Sequence, residues 1–205
     1  MIRYTTVQKE ATAEEVIHRS RFIGHVAPVF TREEAEAYIR KIRERHRAAT
    51  HNVPSYIIGE QMELQWTSDD GEPQGTSGPP VLQMLVREGL TNLVCVVTRY
   101  YGGTKLGTGG LVRAYTETAR QALAAAGIHA VRDMTLLKVR LPYGILGKLK
   151  NLESVQPFFI EDIQYTGEVD VTLLYETEHH LQMTGMLADL HNGMPLILDH
   201  QEKLL

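Results

Sequence analysis

A single cysteine, Cys95, occurs in 205 residues. An internal disulfide is therefore excluded, and the setting LVCVV reads as a buried strand in which Cys95 is a small core hydrophobe. Long apolar runs are lacking too. No stretch reaches the roughly 20 residues that a membrane-spanning helix needs, and the opening MIRYTTVQKEAT has no apolar signal-type segment. The expectation is a cytoplasmic protein with no membrane partner. Repeats, low-complexity tracts and long linkers are absent. So is a large excess of one charge, the net value being −4. Residues 1–130 hold fifteen Lys and Arg against fourteen Asp and Glu, whereas residues 131–205 hold six against eleven. An acidic second half is a poor general binder of phosphate backbones, so any nucleic-acid contact should come from local basic groups in the first half.

Those groups gather between Thr98 and Ala114, where TRYYGGTKLGTGGLVRA passes from an apolar strand pattern through glycines to a helical pattern. Gly102, Gly103, Gly107, Gly109 and Gly110 permit positive φ or close approach to the backbone. A helix beginning near Gly110 or Leu111 would present free N–H groups and a positive dipole end to this loop, as in phosphate sites. Arg99, Lys105 and Arg113 reinforce that sign, and Tyr100 and Tyr101 offer rings on which an unpaired base can stack. The known nucleotide fingerprints do not fit. Thr104 stands where a P-loop has glycine, and Val112 stands where a GxGxxG pattern has its third glycine.

Upstream, SDDGEPQGTSGPP spans Ser68 to Pro80 and carries Asp69, Asp70 and Glu72. Ser77 or Gly78 would cap a helix whose first turn holds Pro79 and Pro80 and which stops at Gly89. Two readings of the acids stay open. They pair with the basic loop, through Asp69 or Asp70 and Arg99 or Lys105, or they hold a hard cation beside a bound phosphate. The EF-hand spacing is absent, and GTSGP departs from GxSxG at Pro79.

Coarse periodicity places these loops. Two strands, EEVIHRS and RFIGHVAPV, bend at Ser20 and Arg21. A helix from Thr31 follows, with Thr31 and Glu34 as a capping box and Ala35, Tyr38, Ile39 and Ile42 as its apolar stripe. Strands are predicted at PSYIIG and LQWTS, then the Ser77–Glu88 helix, the LVCVV strand, the glycine loop and a helix ending at Gly127. His51 reads as a turn residue beside Asn52 and Pro54, with an acid or base role as the alternative. The HAVRDM segment reads as the join, giving domains over 1–131 and 135–205. From Thr135 the order is βαββαβ with a turn at Gly167, which fits a ferredoxin-like domain. His179 and His180 are adjacent on a helix and make a poor metal pair.

With SRF at Ser20–Phe22, including Arg21, and THNVPSY at Thr50–Tyr56, these strings closely resemble the IMPACT family in its YigZ-type bacterial form, over the whole chain. The resemblance implies an α+β protein, with a ribosomal-S5-domain-2-like amino-terminal domain and a ferredoxin-like carboxy-terminal domain similar to an elongation-factor fifth domain. Eukaryotic relatives act in translational control and carry an additional RWD domain ahead of the shared one, so their kinase-pathway role is not expected to transfer. The expected function is a translation-associated binding or regulatory module without cofactor, contacting RNA, the ribosome or a translation factor through the basic glycine loop. An enzyme or binding protein for a phosphorylated small molecule is one alternative. The other is a protein–protein scaffold whose glycines serve only turns, in which case Gly109→Ala should destabilise the fold. Oligomeric state is left open.

Overall fold

The LVCVV run is apolar at every position because its strand is covered on both faces. In the computed structural model, which describes residues 2–205, this strand is β6 (Leu93–Tyr100). It follows β1 (Ile2–Val7), β2 (Ala11–Ile17), β3 (Ser20–Pro28), α1 (Arg32–Arg45), β4 (His51–Ile58), β5 (Leu64–Thr67) and α2 (Gly78–Arg87), and precedes α3 (Gly107–Ala126). The antiparallel sheet runs β2-β3-β6-β4-β5. Val94 and Val96 join Ile39 and Ile42 of α1 in one core, while Cys95 and Val97 join Leu85 of α2 and Tyr115 and Ala119 of α3 in the other. Strand period two thus divides a continuous apolar run between two helical layers. Burial pushes the Cys95 thiol up to about 12, which agrees with a packed, unreactive sulfur.

Local chemistry fixes the boundaries. Thr31 Oγ1 accepts from the Glu34 N–H at 3.2 Å, and the Glu34 carboxylate accepts from the Phe30 N–H at 2.7 Å, so the capping box reaches one residue further back than expected. The first hairpin turns at His18 and Arg19 rather than at Ser20 and Arg21. Both take positive φ, +45° and +65°, as a two-residue turn matched to strand twist requires. β4 begins at His51, three residues before the expected start. Pro54 is tolerated there because its carbonyl accepts from Ser68 N–H and Thr67 Oγ1, on the side away from β6. α3 starts at Gly107, before the expected Gly110 or Leu111, and ends at Gly127 with φ +74°.

The chain divides into two units, Tyr4–Ala130, and Val131–Leu205 with the segment before Tyr4. The HAVRDM segment is strand, being part of β7 (Ile128–Leu141). α4 (Tyr143–Leu152), β8 (Phe159–Tyr165), β9 (Val169–Glu176), α5 (His180–His191) and β10 (Leu196–Leu204) follow. The second unit's four long strands run β10-β7-β9-β8, all antiparallel. That is the order of a split βαββαβ unit. Leu137, Val139, Phe158, Val171, Leu173, Met183 and Leu187 form its core. The protein is α+β, a ribosomal-S5-domain-2-like unit followed by a ferredoxin-like unit. No helix among the described residues is long and apolar enough to cross a membrane.

One buried polar group gives this fold a pH signature. His25 of β3 is buried, with Nδ1 3.2 Å from Thr12 Oγ1 and its ring centroid 4.9 Å from that of His46. Burial, then His46, Arg45 and Lys41, lower its pKa from 6.5 to about 4 against the smaller upward pull of Glu10. The unfolded chain therefore binds a proton that the folded chain refuses between those values. This contribution to stability is complete above about 6.5 and is lost as pH falls toward about 4, with a limit of about 3 kcal/mol. Burial lowers His46 in the same direction. Urea unfolding from pH 7.5 to pH 4.5 should show that decline, shallower in His25→Gln. A flat profile in the unaltered protein contradicts the assignment.

Candidate functional site

Strand register brings the chemistry together. Phe22 of β3, Arg99 of β6 and His51 of β4 are direct cross-strand neighbours. Arg99 follows Cys95 and Val97 on the face beneath α3, so it is buried and not part of an exposed loop. Its guanidinium lies 5.4 Å from the Phe22 ring centroid and 5.3 Å from that of Tyr101. Arg99 Nη1 donates to Glu72 Oε1 at 2.6 Å, and the Tyr115 hydroxyl of α3 donates to the same oxygen at 2.7 Å. The Glu72 and Arg99 side chains are only 3% and 6% exposed. Burial, with the Glu72 carboxylate beside it, raises the Tyr115 pKa far above the ordinary tyrosine value, keeping its hydroxyl a donor.

The acidic loop does pair with the basic segment, but through Glu72 instead of Asp69 or Asp70. Asp70, at φ +48°, accepts from Arg43 Nη2 and from the Asn52 N–H, both at 2.7 Å. Its carbonyl takes a hydrogen bond from His51 Nδ1 at 2.8 Å. A carbonyl only accepts, so Nδ1 carries the proton. Asp69 caps α2: Oδ1 accepts from the Ser77 and Gly78 N–H groups and from Ser77 Oγ, and Oδ2 accepts from the Gly75 N–H. Ser77 occupies the N-cap position without a capping bond of its own side chain. Burial works upward on Asp69, but these hydrogen bonds outweigh it and lower its pKa. The three acids are thus committed separately. Among the described residues no group of three or more His, Cys, Asp or Glu is arranged to hold a metal ion.

A cavity of about 530 Å³ opens above the Glu72–Arg99 pair, lined also by Thr50, His51, Tyr101, Lys105 and Thr108. It meets the start of α3, where Leu106 is the N-cap and no side chain caps the first turn. Lys105 is exposed and makes no ion pair among the described residues. Arg113, about two turns further on, is exposed but does not line the cavity. Arg21 pairs with Glu14 at 2.7 Å and lies over the Tyr100 ring. Tyr100 itself bonds His46 Nδ1 at 3.0 Å. Tyr101, 46% exposed with the Arg99 guanidinium against its ring, is the more open of the two. Thr50 and Thr108 lie within the strings that carry the family resemblance, but nothing in their residue type singled them out for the site. Tyr115 was legible only as a core position of its helix.

The glycines separate into two groups. A Cβ on Gly102 would meet the Arg19 carbonyl oxygen at 1.9 Å, and Gly103 and Gly107 take φ +81° and +73°. Around Gly109 there is open space. Gly102→Ala should therefore destabilise the unit by more than about 1 kcal/mol, while Gly109→Ala should be neutral or stabilising by up to about 1 kcal/mol through helix propensity. Thermal unfolding of both variants checks this ordering, and its reversal would contradict the geometry.

Comparison with known proteins gives the following. Residues 18–123 match the Impact N-terminal domain. IMPACT family member YvyE of Bacillus subtilis is 38% identical over 93% of this chain and 88% of its own. IMPACT family member YigZ of Escherichia coli is 32% identical over 93% and 95%. Protein IMPACT of Mus musculus is 37% identical over 43% of this chain but only 29% of its own length. A crystal structure of a protein described only as hypothetical superposes with a TM-score of 0.60 at 30% identity, covering 98% of this chain and 96% of that one.

Proposed function

The chain belongs to the IMPACT family, and from that premise we propose that it is a translation-associated regulatory protein whose amino-terminal unit contacts RNA phosphate at the start of α3. The observation that carries this reading is the uncapped first turn of α3, with exposed Lys105 beside it and the Arg99-floored cavity next to it. Free backbone N–H groups give geometry for a phosphate, and the lysine gives salt-sensitive attraction. The translational setting, and a cytoplasmic location with it, follow the family resemblance. A pure scaffold role is less well supported, because Gly109 serves neither a strained turn nor a close contact.

Arg99 is unsuitable for testing this, since it forms half of a buried ion pair. The experiment is co-sedimentation with ribosomes and their subunits across a salt series, comparing the native protein with Lys105→Ala. The expected result is weaker pelleting for the variant, with the logarithmic salt slope reduced by about 1. Equal binding and equal slope for both proteins would remove this loop from the contact.

A further inference from the structure

Two hydrogen-bond acceptors stand side by side in the cavity wall. Glu72 uses Oε1 for Arg99 and Tyr115. Its Oε2 takes no hydrogen bond among the described residues and lies 3.8 Å from His51 Nε2. Because Nδ1 donates to the Asp70 carbonyl, the imidazole tautomer selected has its acceptor at Nε2, on the edge facing Glu72 Oε2. The Glu72 side chain is only 3% exposed, but its Oε2 and His51 Nε2 are not sealed from solvent, so a ligand in the cavity can reach both acceptors. An amino group answers both atoms at this spacing, because its two N–H bonds can be shared between them, taking the place of a bridging water.

The cavity floor differs. Arg99 is buried, and its Nε has no hydrogen-bond partner. The site thus offers acceptors at His51 and Glu72, whereas Arg99 Nε is enclosed and out of a ligand's reach. Around these stand the Tyr101 ring over the guanidinium, Lys105 and the open first turn of α3. The volume, about 530 Å³, lies within the range of small-ligand pockets.

We infer that this cavity takes one nucleotide whose base carries an exocyclic amino group, with that amine donating to Glu72 Oε2 and His51 Nε2, the base beside Tyr101 and the phosphate at Lys105 and the start of α3. Adenine, cytosine and guanine meet this requirement. Uracil does not, because it has no amine: N3–H is its single ring donor, and a carbonyl oxygen would face at least one of the two acceptors. The same chemistry is presented by a free mononucleotide and by an unpaired nucleotide of RNA. The inference deepens the phosphate-contact reading and rests on it for the phosphate end only.

The test is calorimetric titration of the full chain with CMP, AMP, UMP and inorganic phosphate, then with single-stranded oligo-C and oligo-U. CMP and AMP should bind about tenfold or more tightly than UMP, because uracil leaves at least one of the two acceptors unpaired. Inorganic phosphate should bind more weakly than CMP, and His51→Ala should narrow the difference between CMP and UMP. Oligo-C bound more tightly than CMP, with the same preference over oligo-U, supports the pocket and identifies RNA as the source. CMP bound without oligo-C supports the pocket for a free nucleotide. Equal affinities for CMP and UMP overturn the inference, and this comparison needs no variant. If no mononucleotide binds while ribosome pelleting keeps its dependence on Lys105, the base pocket is overturned and the RNA contact stands. If both fail, both are overturned.

Discussion

The ion pair between Glu72 and Arg99 sets the terms for everything around it. Both side chains are nearly excluded from solvent, so each has lost hydration that the other replaces, with the Tyr115 hydroxyl on Glu72 and Ser20 Oγ accepting from Arg99. The pair joins three parts of the chain that are distant in sequence: the acidic turn after β5, the end of β6 and the third turn of α3. Without it a loop carboxylate would have no reason to enter the core, and the cavity would lose its floor. The pair is better understood as a device for placing two loops than as a large net source of stability, since charge burial consumes much of what attraction returns.

From that placement the site's asymmetry follows. Register with Arg99 fixes His51 on the same face, and the Asp70 carbonyl fixes the protonated nitrogen of His51. One part of the cavity lining therefore accepts hydrogen bonds while another, at Lys105 and the start of α3, attracts anions. A ligand with a donor at one end and a negative group at the other fits that polarity. The ferredoxin-like unit has its own core and its own ion pair, Arg140 with Asp170 at 2.7 Å, in which only the aspartate is buried, and among the described residues nothing in it repeats this arrangement.

Much of this fold was readable from pattern. The order βαββαβ, the Thr31 cap and the two-sided burial of LVCVV all follow from local periodicity and capping chemistry. The turn at His18 and Arg19 was not readable, because neither residue advertises positive φ. The early start of α3 was hidden by glycines that ordinarily argue against helix. In the site, the pairing of an acidic with a basic loop was legible, but its members were not. Asp69 and Asp70 are nearer the turn and looked available, yet backbone N–H groups and Arg43 claim them. Strand parity counted from Cys95 and Val97 does place Arg99 inside, and the neighbouring glycines drew attention away from that count. His51 could not be assigned without knowing that its strand begins three residues before Pro54.

A double-mutant cycle on Glu72→Gln and Arg99→Met tests the central claim most directly, with unfolding free energies measured by urea for the parent, both single variants and the double. If the pair positions the two loops, each single change should cost about 3–5 kcal/mol by stranding a buried partner, and the double should cost much less than the sum. Additive losses would mean that the two side chains act independently and that something else builds the cavity.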